Sequence, residues 1–351
     1  MIDLIKGGHT DMNSSLRCVE CREVLPENLR QLMDMKGNVF YSEKYYNAQL
    51  ANGFKPVYLY DEEYFLLAVI CKEWFVFKAV ALPVECLLIQ DQHEESEKEF
   101  LNKVVSYLKT NKKVHWIGPT STSAFFMAYP DDSEWIPFGS HVVDLTQPED
   151  ILWNHIHSKH RNVIRKAEKA ELNIVSGNSE KLIRDFAYLD KVTWERSGQK
   201  GHGIRCFESL IETYGEQIII FCIYKEDEIQ GGIILQYNKC MAYYLYGGSV
   251  NNVQLGAMNY LHWYAMLYLK KKQVRKYSFL GCRINEDENS KYHTLQRFKS
   301  RFGGELVSGY MFKVPCNSFM YRLERRLRYI KRNHGRQCPL DIIDEERYKW
   351  V

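Results

Sequence analysis

One arrangement recurs along this chain, and it narrows the available folds more than any property of composition. From Val39 the residues read as helix, three-stranded meander, helix, strand, and from Ser179 they read so again. In the first copy Ser42 is placed to cap a short helix through Leu50, and Gly53 stops it. Pro56–Tyr60, Tyr64–Cys71, Trp74–Leu82 and Cys86–Ile89 follow as strands, separated by the turn-like Asp61-Glu62-Glu63 and Lys72-Glu73. Glu94 to Thr110 makes an amphipathic helix with Phe100, Val104 and Leu108 on one stripe, and Val114–Ile117 is a strand closed by Gly118-Pro119.

In the second copy a helix runs from Ser179 to about Arg196 and a shorter one spans Cys206–Tyr214. Gln217–Tyr224, Ile229–Tyr237 and Met241–Tyr246 are strands whose short connections make an antiparallel meander. A helix from about Gly256 to Lys272, the strand Lys276–Leu280, a helix over roughly Ser290–Arg301 and the strand Glu305–Lys313 complete the copy. This duplication predicts an α/β (α+β) fold with mixed sheets. It divides the chain into domains at 1–145 and 146–315, with 316–351 as a basic amphipathic helix and tail built on Phe319, Leu323, Leu327 and Ile330. A length of 351 residues agrees, because a single core rarely grows so large.

Between the copies, Pro148 to Leu172 reads as one helix. Leu152, Ile156, Val163 and Ala167 form its apolar stripe, while Arg161, Arg165 and Lys169 step along another face. Basic residues also gather at 269–276 and 322–336, although the net charge is only +3, which speaks against a general polyanion binder. The start, Met1 to Thr10, lacks the apolar core of a signal peptide, and Tyr64 to Ile89 is broken by Lys72, Glu73, Lys78 and Glu85, so a cytoplasmic protein is expected. Its ten cysteines then read as reduced thiols. No metal site is expected, since Cys18-Val19-Glu20-Cys21 has no second pair at zinc spacing. Gly247-Gly248-Ser249 is not a nucleophile elbow.

The segment Leu152-Trp153…Lys159-His160-Arg161-Asn162…Ile164-Arg165-Lys166-Ala167-Glu168-Lys169 resembles the linker helix of Fem-type peptidyltransferases and their GNAT-like relatives. Tyr243-Tyr244 before Gly247-Gly248-Ser249, a helix containing Leu261-His262-Trp263, and the closing Arg297-Phe298-Lys299-Ser300-Arg301-Phe302-Gly303-Gly304 follow in that family's order. The resemblance covers roughly 140–315 well and the first half in outline. It implies tandem GNAT-like domains and transfer of an acyl or aminoacyl group to an amine. The acceptor would belong to a cell-envelope precursor, of peptidoglycan or polysaccharide, or to a nucleotide-activated sugar. Two departures leave the donor open between aminoacyl-tRNA and acyl-CoA. No long charged hairpin is present as a tRNA arm, and the DFGG-like strand end of many relatives is Ser278-Phe279-Leu280-Gly281-Cys282 here.

Acyl transfer needs a neutral amine, a partner for the developing oxyanion and a grip on the donor. Lys299 sits where the resemblance implies a functional lysine. Leu295, Phe298 and Phe302 define a buried stripe on its helix, which points Lys299 elsewhere. Strand alternation puts Tyr244 and Tyr246 on one face, Tyr246 as a proton relay and Tyr244 against substrate. Lys159, Arg161 and Arg165 suit the phosphates of an anionic acceptor, since guanidinium matches phosphate bidentately, and Arg301 joins them as a substrate-binding residue. Gln254, Gly256 and Ala257 form a glycine-containing turn into a helix, where exposed amides would hold the donor's phosphate. No permanently bound cofactor is expected. The expected partners are a phosphate-bearing acceptor, tRNA where it carries the donor, and a peripheral membrane contact. A reading from another class is a tandem module without catalysis, whose basic C-terminal helix holds RNA or an anionic surface.

Overall fold

The computed structural model describes residues 16–36, 38–72, 76–89, 96–284, 291–333 and 340–348. In chain order the first elements are β1 (Arg17–Val19), α1 (Glu27–Lys36), α2 (Glu43–Ala51), β2 (Lys55–Tyr60), β3 (Tyr64–Lys72), β4 (Lys78–Ala81), β5 (Leu87–Leu88), α3 (Glu97–Thr110), β6 (Trp116–Ile117) and β7 (Glu134–Asp144). There follow α4 (Glu149–His155), α5 (Ser158–Glu168), β8 (Leu172–Gly177), α6 (Glu180–Glu195), α7 (Ile204–Tyr214), β9 (Ile218–Lys225), β10 (Glu228–Tyr237), β11 (Met241–Ser249), α8 (Ala257–Lys271), β12 (Lys276–Ser278), β13 (Cys282–Arg283), α9 (Lys291–Ser300), β14 (Glu305–Lys313), α10 (Ser318–Asn333) and α11 (Ile342–Tyr348). They fall into two compact units: the chain up to Phe138 together with the chain from Ser308 onward, and Gly139–Val307 between them. Residues 308–315 and the C-terminal helices, assigned from sequence to a second domain and a separate tail, thus lie in the first unit.

The repeat is present in both units. In the first, β1, β2, β3 and β4 pair antiparallel in turn, and after α3 the strand β6 joins β4 in parallel. In the second, β8, β9, β10 and β11 do the same, and after α8 the strand β12 joins β11 in parallel. Capping follows the sequence: the Ser42 and Ser179 side chains accept from the amides of Tyr45 and Leu182, and Ser96 with Glu99 closes a capping box on α3.

In the second unit both faces of the sheet are covered, which explains the apolar run of β9. Ile219, Phe221 and Ile223 face a core that includes Leu261, Ala265, Met266 and Leu269 of α8. Ile218, Ile220, Cys222 and Tyr224 face a core with Leu182 and Phe186 of α6 and Phe207 of α7. Close approach on the α6 side requires glycine. Gly232 and Gly248 are cross-strand partners, and a Cβ on Gly248 would lie 2.9 Å from the Leu189 carbonyl oxygen of α6.

Three expectations are corrected. The single helix over 148–172 is two helices broken at Ile156 and His157, because the extended backbone of Ile156 (ψ 130°) lets its side chain stay in the core. The chain then pairs as β8 from Leu172, on the strength of partners supplied by β9. The 11-residue β7 was not foreseen, since Pro137 and Gly139 interrupt its pattern. Trp74–Leu82 lies partly outside the described residues, and the strand there is Lys78–Ala81. No helix of the described residues is long and apolar enough to cross a membrane.

Two glycines separate backbone strain from crowding. Gly53 (φ +74°) faces open space, whereas a Cβ on Gly256 (φ +82°) would lie 2.2 Å from the Val163 carbonyl oxygen of α5. Gly53→Ala should cost about 1 kcal/mol from the left-handed backbone alone, and Gly256→Ala upwards of about 2 kcal/mol. Urea denaturation of the two variants checks the order, and equal costs would refute the packing argument.

Candidate active site

Lys299 occupies the most constrained position among the expected site residues. After β12 ends, Leu280 and Gly281 both adopt left-handed backbone (φ 48° and 44°). Their carbonyl oxygens accept from Lys299 Nζ at 2.6 and 3.1 Å. A left-handed leucine costs about 1–2 kcal/mol, so this turn is held by its surroundings. Those surroundings are aromatic: Phe279, Phe298 and Phe302 pack with the rings of His262 and His160 at centroid distances of 4.9–5.7 Å. The stripe expected on α9 is therefore rotated. Lys299 is 7% exposed and Leu295 is 49% exposed, the reverse of the amphipathic reading.

Burial sets the protonation of this cluster. It pulls the Lys299 ammonium down to about 8, with nearby Cys282 acting in the opposite direction. Burial, then the Lys299 charge, then His160 pull His262 down to about 3. Burial, then Arg301 and His157, pull His160 to about 4. Near neutral pH these imidazoles are uncharged while Lys299 carries a proton. Burial also pushes the Cys282 thiol up to about 11, opposed by Lys299 and by its bond to Gln296, so this thiol is not an activated nucleophile. His262 Nε2, His160 Nδ1 and His141 Nδ1 are buried with no hydrogen-bond partner among the described residues. Unpaired buried nitrogens are uncommon in proteins.

The two tyrosines are not on one face. The β10–β11 register shifts between Ile234↔Tyr246 and Leu235↔Tyr244, leaving Leu245 as a bulge. The extra residue reverses the alternation beyond it. Tyr244 packs on His262 and Phe279, on the α8 side. Tyr246 packs on His202 and Phe207, on the α6–α7 side. Burial pushes both phenols up to about 12. Lys299 and Tyr246, expected to act together, approach from opposite sides of the sheet.

The basic residues also diverge. Arg161 Nη1 donates to the carbonyl oxygens of Asn154 (2.7 Å), Ile156 (2.7 Å) and Trp153 (3.4 Å), capping the end of α4, so it is engaged with backbone and not turned to a phosphate. Arg165 is exposed and lies over the Trp153 ring at 5.3 Å, lining a cavity of about 690 Å³ with Glu149, Asp150, Glu168 and Trp263. Lys159 is exposed and Arg301 half-buried. The donor-holding turn is corrected as well. Gly256 and Ala257 are buried against Val163 of α5, and the Ala257 amide donates to the Gln254 carbonyl. A phosphate at those residues would have to displace α5.

The geometry around Lys299, Tyr244 and the closing glycines lies within a stretch that a family model recognises. Residues 224–328 match the FemAB family. The match contains Tyr243-Tyr244, Leu261-His262-Trp263 and the Arg297–Gly304 motif, and it leaves the Lys159–Asn162 segment outside. The crystal structure of FemX superposes with a TM-score of 0.62 at 15% identity, covering 88% of this chain and 99% of that one. The structure of L-PGS from Bacillus licheniformis gives 0.50 at 13% identity, covering 89% of this chain and 98% of that one. A comparison with curated protein sequences yields no match. The mixed α/β fold with a repeated unit is thereby shown to be shared with FemX.

Within the second unit the sequence reading missed one constellation. Asp190 of α6 is buried, and its carboxylate accepts from the His202 amide (2.7 Å), His202 Nδ1 (2.9 Å) and Trp194 Nε1 (2.9 Å). The loop carrying His202 fits around that carboxylate: a Cβ on Gly201 would lie 2.6 Å from Asp190 Oδ2. Held in this way, His202 has Nδ1 as donor and Nε2 as the free basic nitrogen, beside the ring of Tyr246 at 5.1 Å. Twelve residues and a turn separate the pair, so no local spacing announces it.

Lys299 makes stability depend on pH. Its folded value of about 8 lies below the ordinary 10.5. Between these values the unfolded chain keeps a proton that the folded chain has released. The lysine's contribution is therefore least favourable below pH 8 and improves as pH rises through the window. In urea melts the wild type should gain stability relative to Lys299→Met across that range. A pH-independent difference would refute the assignment.

Proposed function

We propose that this protein is an aminoacyl- or acyltransferase that moves an activated acyl group onto the amine of a cell-envelope precursor or nucleotide-activated sugar. The observation that carries the reading is the buried Lys299 ammonium, fixed by two backbone carbonyls among neutral histidines, inside the FemAB-matching stretch. In a site shielded from water, a fixed cation is worth far more to a developing oxyanion than it is in solvent. In the proposed reaction the amine nitrogen attacks the donor carbonyl carbon. A C–N bond forms, and the ester or thioester bond to the carrier breaks.

Lys299 would face the carbonyl oxygen as it gains charge. The amine proton would pass to His202 Nε2 on the other side of the sheet, with Tyr246 as the protonated neighbour through which it returns to the leaving group. The two sides would meet along β11, which continues to Ser249 while its pairing with β12 covers only Met241–Tyr243. Lys159 and Arg165, both exposed, are left to meet acceptor phosphates. The donor would be an aminoacyl-tRNA or an acyl-CoA, each presenting an activated ester or thioester.

The test is turnover with labelled aminoacyl-tRNA and labelled acyl-CoA over a panel of amine acceptors. Lys299→Met should lower turnover by about 10²–10³-fold while its circular dichroism is unchanged. For the wild type, the rate should fall as pH rises through about 8, because the protonated lysine is the active form. Full activity in Lys299→Met, or absence of transfer from both donors over the whole panel, would sink the proposal.

A further inference from the structure

Helix α10 carries two unlike faces. Met320, Tyr321 and Leu327 pack against Phe77, Ala79 and Trp116, and Arg325 is anchored to Asp344 at 2.7 Å. A neighbouring face is uncovered. Phe319 is 71% exposed, Leu323 36% and Ile330 58%. At 100° per residue these three side chains fall within about 40° of one another, a stripe about 16 Å long. Arg322 and Arg326, both exposed, run beside it. The helix holds six basic residues, Arg322, Arg325, Arg326, Arg328, Lys331 and Arg332, against the single acid Glu324.

We propose that this face of α10 docks on an anionic lipid surface, lying flat with Phe319, Leu323 and Ile330 inserted among the acyl chains. Exposed aromatic and aliphatic groups gain free energy by entering the headgroup–acyl boundary, and arginines at the margin meet lipid phosphates. A polyanion such as RNA would engage the arginines and has no use for the apolar stripe. A second copy of the chain would set one strongly basic helix against another. Lipid is the partner that satisfies both halves of the face. The inference is independent of catalysis, since its readout is binding.

Sedimentation of the full chain with vesicles of phosphatidylcholine, alone or mixed with phosphatidylglycerol, tests it. Binding should require the anionic lipid and weaken steeply with salt. F319S/I330S and, separately, R322Q/R326Q should each reduce binding by about tenfold or more. All four positions are exposed, so the thermal melts should match the wild type. Three results would overturn the proposal. F319S/I330S could bind vesicles as well as the wild type. The substitution could instead abolish a dimer seen in sedimentation velocity. The chain could retain RNA but not vesicles.

Discussion

Placing an ammonium out of water is the constraint on which the site depends. A buried lysine is tolerated only where fixed dipoles replace its hydration. Here the dipoles are two backbone carbonyls, and to aim both at one nitrogen the chain must pass through two successive left-handed residues. That turn can form only because β12 stops at Ser278, and the aromatic rings of Phe279, Phe298 and Phe302 then close around it. The histidines of the same cluster are kept neutral by the same burial, helped by the Lys299 charge at His262 and by Arg301 and His157 at His160. Sheet termination, backbone strain and protonation are thus tied together at one buried charge.

A second layer of order comes from the glycines on the opposite side. By leaving no Cβ over Gly232 and Gly248, β10 and β11 let α6 settle directly on the sheet. This puts Asp190 within reach of the loop that bears His202. The imidazole is oriented by a buried carboxylate that is itself satisfied three times, the arrangement by which proteins fix a tautomer.

Elements whose signals are local were legible in the sequence: the caps at Ser42 and Ser179, the meanders, and the helix that follows each. Elements whose stability comes from distant partners were not. β7 reads poorly because Pro137 and Gly139 sit inside it, yet Val142, Val143 and Asp144 are held by β12. Counting alternate residues along β11 failed at Leu245, because a bulge is a property of the pair of strands and not of one strand's pattern. Arg161 looked like a phosphate ligand, but the helix break that places three carbonyls around it depends on how Ile156 packs. Lys299 was identified by resemblance to Fem-type proteins, and its burial was hidden because α9 shows a solvated pattern on paper.

The division of the chain has a consequence for how the molecule comes into being. The core of the first unit combines Val80, Ile117 and Phe126 with Phe312 and Val314, and Val314 bridges to Ile117 as Tyr310 does to Phe126. Those partners lie on opposite sides of the intervening 139–307 in sequence. On the ribosome, the second unit is therefore complete while the first still lacks its closing strand. The unit that begins the chain is the last to be sealed, and its open apolar surface is the part of the nascent protein that needs protection longest.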